Sequence, residues 1–344
     1  MKRNRIACVI PNLNGKAGIS RPLDTLIRQR TTAKVSIIVV DNGSTDGSSN
    51  FIRRHYPDVV IVQHDKNYGF AGGVNGGIRR AMELGCDYVA LFNNDASAEL
   101  DWLDRLWRCL EEYPDTGIAT GKLISNQHKT FDSTGEEYTV WGLPFPRGRG
   151  EPVSEVYDTD TLIFGATGGA SLYRIGMLNQ IGLFDEDFFA YYEDVDISFR
   201  AQLAGWRIRY VPAARAYHDI GATSDRFKGF RTLQTLKNLP LIIYKDLPAH
   251  FFWRTLPRFM LVYWLFFAKA FLRGEGWYAL KGWLLACWLL PKKLIERSTI
   301  QRQRRVELDY IKNIIRNDLP PRAYKLRTLR QCWLLLRGRR GGHS

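Results

Sequence analysis

Four short apolar runs, three of them stopped by a cluster of turn-forming residues, organise the first hundred positions. They are RIACVI (5–10) before PNLNG (11–15), KVSIIVV (34–40) before DNGSTDGS (41–48), DVVIVQ (58–63), and DYVALF (87–92) before NND (93–95). Runs this short and this rich in Val and Ile read as strands buried on both faces. Amphipathic or helix-compatible stretches separate them, at about 20–30 and 47–55, and AELDWLDRLWRCLEEYP (98–114) follows the last. Strand and helix alternating at this spacing specify βαβ units and a mostly parallel sheet. In such sheets ligands bind beyond the carboxyl ends of the strands, so the polar clusters should converge on one crevice.

NYGFAGGVNGG (67–77) reads as a glycine-rich loop running into a helix with Ile78, Ala81 and Met82 on its inner side. Glycines there would let backbone approach a ligand, and a helix N-terminus favours phosphate. Asp95, at a strand end, suits either a helix N-cap or a divalent cation on a diphosphate. Residues 116–165 are less regular and read as a β-rich excursion with a mobile loop. Gly168, Gly169 and Ala170 then lead into a strand at 171–174 and a helix at 175–181. FFAYYEDVDISFR (188–200) puts Glu193, Asp194 and Asp196 within four positions, at the start of a helix expected at 194–204. Carboxylates this close raise one another's pKa, which a folding core does not need. A cation or a basic role in catalysis would give the cluster a reason. RIRYVP (207–212) is a further strand, and His218 follows on an expected loop.

Charge divides the chain. Residues 1–214 hold 23 Lys+Arg against 27 Asp+Glu, and residues 215–344 hold 26 against 8. Basic residues in the second part are interleaved with bulky apolar ones, which favours an anionic membrane surface over nucleic acid. Residues 227–247 read as a helix. FMLVYWLFFAKAFL (259–272) and WYALKGWLLACWLL (277–290) each span about 14 residues, short of the ~20 that a transmembrane helix needs. They read as amphipathic helices lying in the membrane interface, with Trp253, Trp264, Trp277, Trp283 and Trp288 at headgroup level. An ordinary helical subdomain on the core, or a re-entrant hairpin, are the alternatives. The five cysteines contain no CxxC pair, so neither a disulfide framework nor a zinc site is expected. The apolar run at the N-terminus is too short for a signal peptide and reads as a first strand.

Taken in order, PNLNG, VDNGSTDGS, NYGFAGGVNGG, FNND, GGASLYR, FFAYYEDVDISFR and YHDIGATS resemble the family 2 glycosyltransferases of the GT-A fold, and most of all the bacterial rhamnosyltransferase-type and galactofuranosyltransferase-type members. The resemblance covers about residues 4–245. It implies an α/β, Rossmann-like GT-A catalytic domain over 1–225, with a nucleotide half at about 1–115 and an acceptor half at about 116–225. A basic, membrane-associating helical region at 226–337 and a disordered tail at 338–344 would follow. Within the motifs, Asp41 resembles the residue that binds the pyrimidine base. Pro11, Asn14, Asn67, Gly69 and Asn75 match nucleotide-sugar loops. Asp95 matches the metal-binding carboxylate of the family's acidic motif, with Asn93 in place of its first Asp. His218 matches a histidine that completes the metal site in some relatives. Asp194 matches the general base and Glu193 its neighbour. Gly168, Gly169 and Arg200 are expected on the acceptor side, and Asp196 in a structural role.

The implied chemistry calls for the same residue types. A nucleotide sugar leaves as a diphosphate, and Mg2+ or Mn2+ at Asp95 and His218 would neutralise its charge. The attacking hydroxyl must lose a proton, which Asp194 would accept. The expected activity is an inverting transfer from a nucleotide-sugar donor, dTDP-rhamnose first and UDP-sugars next, to a polyprenyl-diphosphate-linked glycan at the cytoplasmic face of the membrane, in cell-envelope polysaccharide synthesis. A non-catalytic glycan- or nucleotide-binding scaffold is the alternative of a different class. A processive synthase would carry a QxxRW motif, which the sequence lacks.

Overall fold

A computed structural model describes residues 4–125, 129–218 and 228–320. The end of the YHDIGATS motif and the tail at 338–344 lie outside the described residues.

The four apolar runs become neighbours in one sheet. β1 (Arg5–Asn12), β2 (Lys34–Asp41), β3 (Val60–Gln63) and β4 (Tyr88–Phe92) are parallel, in the order β3-β2-β1-β4. Helices α1 (Ser20–Ile27), α2 (Ser48–His55) and α3 (Gly69–Glu83) make the connections. The period of two in β1 sorts its side chains between two cores. Ile6, Cys8 and Ile10 face a layer containing Leu23 and Leu26 of α1 and Trp102 and Leu106 of α4 (Trp102–Glu112). Ala7 and Val9 face Val74, Ile78 and Ala81 of α3. Fully burying each aliphatic side chain contributes about 1.5–3 kcal/mol, so both faces must be covered.

β5 (Ala96–Ala98), β6 (Thr116–Ser125), β7 (Phe131–Ser133), β8 (Glu136–Tyr138), β9 (Pro144–Pro146), β10 (Thr161–Leu162) and β11 (Ala170–Arg174) follow. β11 runs antiparallel between β4 and β6, and so joins the parallel half to β6 and β12 (Arg207–His218). β5 adds to β12, β7 adds to β6, and β8 with β9 forms a separate pair. The chain leaves β1 for β2 on one side, while β4 lies on the other. The crevice at their carboxyl ends is therefore the expected ligand position.

The remaining helices are α5 (Ile175–Ile181), α6 (Glu193–Leu203), α7 (Phe230–Lys245), α8 (Ala249–Leu272), α9 (Gly276–Arg302) and α10 (Leu308–Ile314). The two apolar runs at 259–272 and 277–290 are parts of longer helices, because polar turns continue the backbone ladder beyond the apolar stretch. α8 is long and apolar enough to cross a membrane by length and composition. One side of it nevertheless packs inward, through Thr255, Phe259, Val262, Tyr263 and Ala270. α7 and α9 share a core with Phe188, Val195 and Phe199 from the acidic-cluster segment. Among the described residues, Cys8, Cys86, Cys109 and Cys287 are free thiols.

Candidate active site

A cavity of about 830 Å3 opens at the carboxyl ends of β1, β2 and β4. Its floor is an asparagine network. Asn94 Nδ2 donates to Asn12 Oδ1 (3.1 Å), and Asn12 Nδ2 donates to Ser48 Oγ (3.1 Å). Asn42 Nδ2 donates to Asn67 Oδ1 (3.0 Å) and to the Gly69 carbonyl (2.8 Å). Asn12 and Asn42 were not singled out in the sequence, although each sits beside a motif residue that was.

The glycine-rich stretch is not a loop. α3 begins at Gly69, which has φ +73°, and a Cβ there would lie 2.2 Å from the Phe189 carbonyl oxygen. A Cβ on Gly77 would meet Val9 Cγ1 at 2.3 Å, so this glycine serves close helix–sheet packing.

At one wall, the carboxyl end of β12 brings in His218. It is in a strand rather than a loop, because β5 extends the ladder and pairs His218 with Ala96, next to Asp95. His218 Nε2 lies 2.9 Å from Asp95 Oδ1, and Asn93 Nδ2 lies 3.3 Å from the same nitrogen. Its Nδ1 lies 2.8 Å from Asp132 Oδ2. Arg149 holds Asp132 in turn, with a nitrogen 3.0 Å from Oδ1. Burial would lower the His218 pKa, but its two carboxylate hydrogen bonds raise it to about 9. Burial also opposes ionised Asp132, yet the His218 hydrogen bond and the Arg149 charge keep its pKa below the ordinary value. A carboxylate oxygen and an imidazole nitrogen converging here, with a second carboxylate steering the imidazole, form a donor set that fits a divalent cation. Asp132 carries no local sequence signal; pairing of β7 with β6 brings it to the site.

Glu193 and Asp194 also form part of the cavity wall. Asp194 accepts from the Gly168 N–H (3.1 Å) and the Val195 N–H (2.9 Å). Burial raises the Asp194 pKa, and these N–H groups offset part of the rise. Glu193 is buried, and its Oε2 has no hydrogen-bond partner among the described residues. Burial, and then the Asp194 charge, push its pKa up to about 8. Glu136 of β8 also lines this wall, and burial followed by the Asp194 charge raises its pKa well above the ordinary value.

Pro11, Asn67, Gly69, Asn93, Asp95, Gly168, Gly169, Glu193, Asp194 and His218 thus line one cavity, and Asn14, Asp41, Asn75 and Arg200 do not. Asn14 Oδ1 accepts from the Thr45 N–H and ties two loops together. Asp41 accepts from the Ser44 N–H (2.8 Å) and from Ser49 Oγ. Asn75 Nδ2 donates to Phe184 O and Glu186 Oε1, both at 2.8 Å. The acceptor-side reading of Arg200 changes most. Its guanidinium binds Asp196, four residues earlier on the buried face of α6, and the carbonyls of Ile181 and Leu183. Asp196 also pairs with Lys245, so it is turned away from the cavity. Asp185, Asp187 and Glu296 form a further acidic group, but Lys245, Lys292 and Lys293 already neutralise it.

The segment entering α6 is strained. Phe189, Tyr191 and Tyr192 have φ of 62°, 66° and 71°. Such conformations cost on the order of 1–3 kcal/mol each in bulky residues. Asn238 of α7 offsets the cost by sharing its amide among the carbonyls of Phe188, Ala190 and Tyr191, at 2.8–2.9 Å. Lys237 Nζ donates to the Asp187 carbonyl at 2.7 Å. Neither residue was visible as functional in the sequence.

The chain is similar to known proteins. One relative is the N-acetylglucosaminyl-diphospho-decaprenol L-rhamnosyltransferase of Mycobacterium tuberculosis, 28% identical over 219 residues, which cover 57% of this chain and 70% of the relative. Among solved structures, GalNAc-T7 with UDP, GalNAc and Mn2+ aligns with a TM-score of 0.56 at 13% identity, over 71% of this chain and 48% of the other. A mannosyltransferase from Pyrobaculum calidifontis in complex with GDP-Man and Mn2+ aligns with a TM-score of 0.53 at 17% identity, over 88% of each chain. The fold is accordingly the GT-A fold, with a C-terminal helical region. The sequence profile described as Glycosyl transferase family 2 matches residues 7–182, just over half of the chain, and the chain belongs to that family of glycosyltransferase enzymes.

Proposed function

We propose that this glycosyltransferase moves a sugar, rhamnose from dTDP-rhamnose as first choice, to a polyprenyl-diphosphate-linked glycan at the cytoplasmic face of the membrane. The observation that carries the reading is that two unlike groups line one cavity. Asp95 and His218 form one, and Glu193 with Asp194 forms the other. The rhamnosyltransferase relative supports rhamnose as the sugar and a lipid-linked acceptor. UDP-sugar or GDP-sugar donors are the second reading, favoured by the nucleotides in the structural neighbours.

In this mechanism Asn12, Asn42 and Asn67 hold the nucleotide end, with Pro11 and Gly69 shaping it. Asp95 and His218 would hold Mg2+ or Mn2+, which when bound supplies Lewis-acid neutralisation of the diphosphate. Asp194 accepts the proton of the acceptor hydroxyl as its oxygen attacks the anomeric carbon. The bond from that carbon to the diphosphate breaks in the same displacement, so the configuration inverts. Burial raises the affinity of Asp194 for that proton, and the N–H groups of Gly168 and Val195 fix its direction.

The membrane part rests on α8. Trp253, Leu261, Trp264, Leu265 and Leu272 form an exposed stripe along its whole length, opposite its packed side. A helix anchored to a protein core on one side and apolar on the other suits the membrane surface.

The deciding experiment is a transfer assay with dTDP- and UDP-sugars, a polyprenyl-diphosphate GlcNAc acceptor, and Mn2+ or EDTA. Asp194→Asn should abolish transfer while donor binding persists. Transfer at near wild-type rate by that variant would remove Asp194 from the mechanism, and indifference to EDTA would remove the cation.

A further inference from the structure

A second concavity, of about 620 Å3, lies away from the sugar-transfer cavity, between the start of α8 and the last turns of α9. Its α9 wall is one helical stripe, with Leu294, Arg297, Ser298, Gln301 and Arg302 at spacings of three and four. His250 faces it from α8 and Arg304 from beyond α9. No acidic residue lines it among the described residues. Arg297 is already oriented, donating to the Tyr244 carbonyl (3.0 Å) with its guanidinium over Phe252. Arg302 donates to Ser298 Oγ (2.9 Å).

The groove borders the apolar surface. Trp253, one turn along α8 from His250, is 73% exposed, and Ile295, beside Leu294, is 72% exposed. Trp288, seven residues before Ile295 on α9, is 76% exposed. Indole and branched aliphatic groups at the rim of a basic groove match a site at the headgroup level of a bilayer. Arginine forks recognise phosphate oxygens by direct hydrogen bonds.

We propose that this groove binds the phosphate of an anionic phospholipid headgroup, and so sets how the enzyme sits on the membrane. The inference rests on the membrane reading above. A headgroup is favoured over free phosphate because the exposed apolar rim has a use only if acyl chains lie beside it.

The test uses the full chain and flotation with vesicles of phosphatidylcholine alone or mixed with phosphatidylglycerol. Arg302→Ala/Arg304→Ala should weaken binding to the anionic vesicles roughly tenfold. Binding to neutral vesicles and donor hydrolysis should stay unchanged. Arg53→Ala/Arg54→Ala, on α2, removes the same charge elsewhere and should have little effect on either. Equal losses from both double variants would reduce the effect to overall charge and overturn the site. Displacement from anionic vesicles by inorganic phosphate at constant ionic strength would assign the groove to free phosphate instead. Wild-type flotation with both vesicles, indifferent to Arg302 and Arg304, would sink the headgroup site alone. Absence of all flotation would sink the membrane reading with it.

Discussion

Asn238 and Tyr191 stand 47 residues apart in the chain, and the Asn238 side-chain amide donates to the Tyr191 carbonyl at 2.8 Å. The same amide reaches Phe188 and Ala190, so one buried side chain of α7 holds the strained entry to α6. Glu193 and Asp194 are the next two residues after that entry. The C-terminal helices therefore take part in placing Glu193 and Asp194 in the cavity.

Asn238→Ala should lower kcat about tenfold to a hundredfold, the scale expected when a catalytic group shifts by about 1 Å. The donor KM should change little, because the nucleotide end is built from other loops. Stability should fall by about 1–3 kcal/mol, since buried carbonyls lose their donor. Steady-state kinetics and denaturant unfolding check both parts; an equal loss in donor affinity would point to general unfolding.

Asp132→Asn keeps shape but removes the charge that steers His218. Second carboxylates of this kind contribute about 10–100-fold in metal affinity. Titrating donor hydrolysis with Mn2+ should show a loss of that size, with turnover recovered at saturating metal. Unchanged Mn2+ affinity would mean that His218 is not a ligand.

Glu193 carries a pKa of about 8, and the surrounding charges are Asp194, Asp196 and Lys237. A carboxyl that ionises only near 8 is neutral while Asp194 loses its proton, so burial is what raises the Asp194 pKa. The rising limb of kcat/KM against pH should therefore lie above the ordinary carboxylate range, and Glu193→Gln should leave it in place; a shift to lower pH would mean that a Glu193 charge raises it.

The same residue sets a stability trend. A carboxyl whose folded pKa lies above its unfolded value stabilises the fold fully below the unfolded pKa, 4.5 here, and loses that contribution as pH rises through about 8. Glu193→Gln should flatten this loss between those limits, as read by denaturant melts across the pH range.

Leu261→Glu/Leu265→Glu places two charges on the exposed stripe of α8 without touching its packed side. Vesicle flotation should be lost while donor hydrolysis and melting temperature are retained. Undiminished flotation would exclude α8 as the membrane-facing element.

The strands were legible because a buried parallel strand has to be a short apolar run, and the turn clusters after β1, β2 and β4 marked where the crevice opens. Glycine usually signals a loop, whereas Gly77 is needed where α3 touches Val9 of β1. Nothing local shows that β5 will extend the ladder, so the sequence by itself points to a loop at His218. Arg200 looked available for an acceptor, but the four-residue spacing from Asp196 on a buried face turns it into a structural ion pair.

Alone, the sequence determined the βαβ half and the basic, apolar character of the last third, while the resemblance of its motifs brought Asp95 and Asp194 forward. The first two follow from local pattern, since strand burial and helix periodicity repeat every two or 3.6 residues. Only the tertiary structure decided that Asp132 steers His218, that Glu136 joins Glu193 and Asp194, and that Asn238 holds the Phe188–Tyr192 turn. Each of these depends on hydrogen bonds or charge interactions between segments distant in sequence, and no single window of the chain carries both partners.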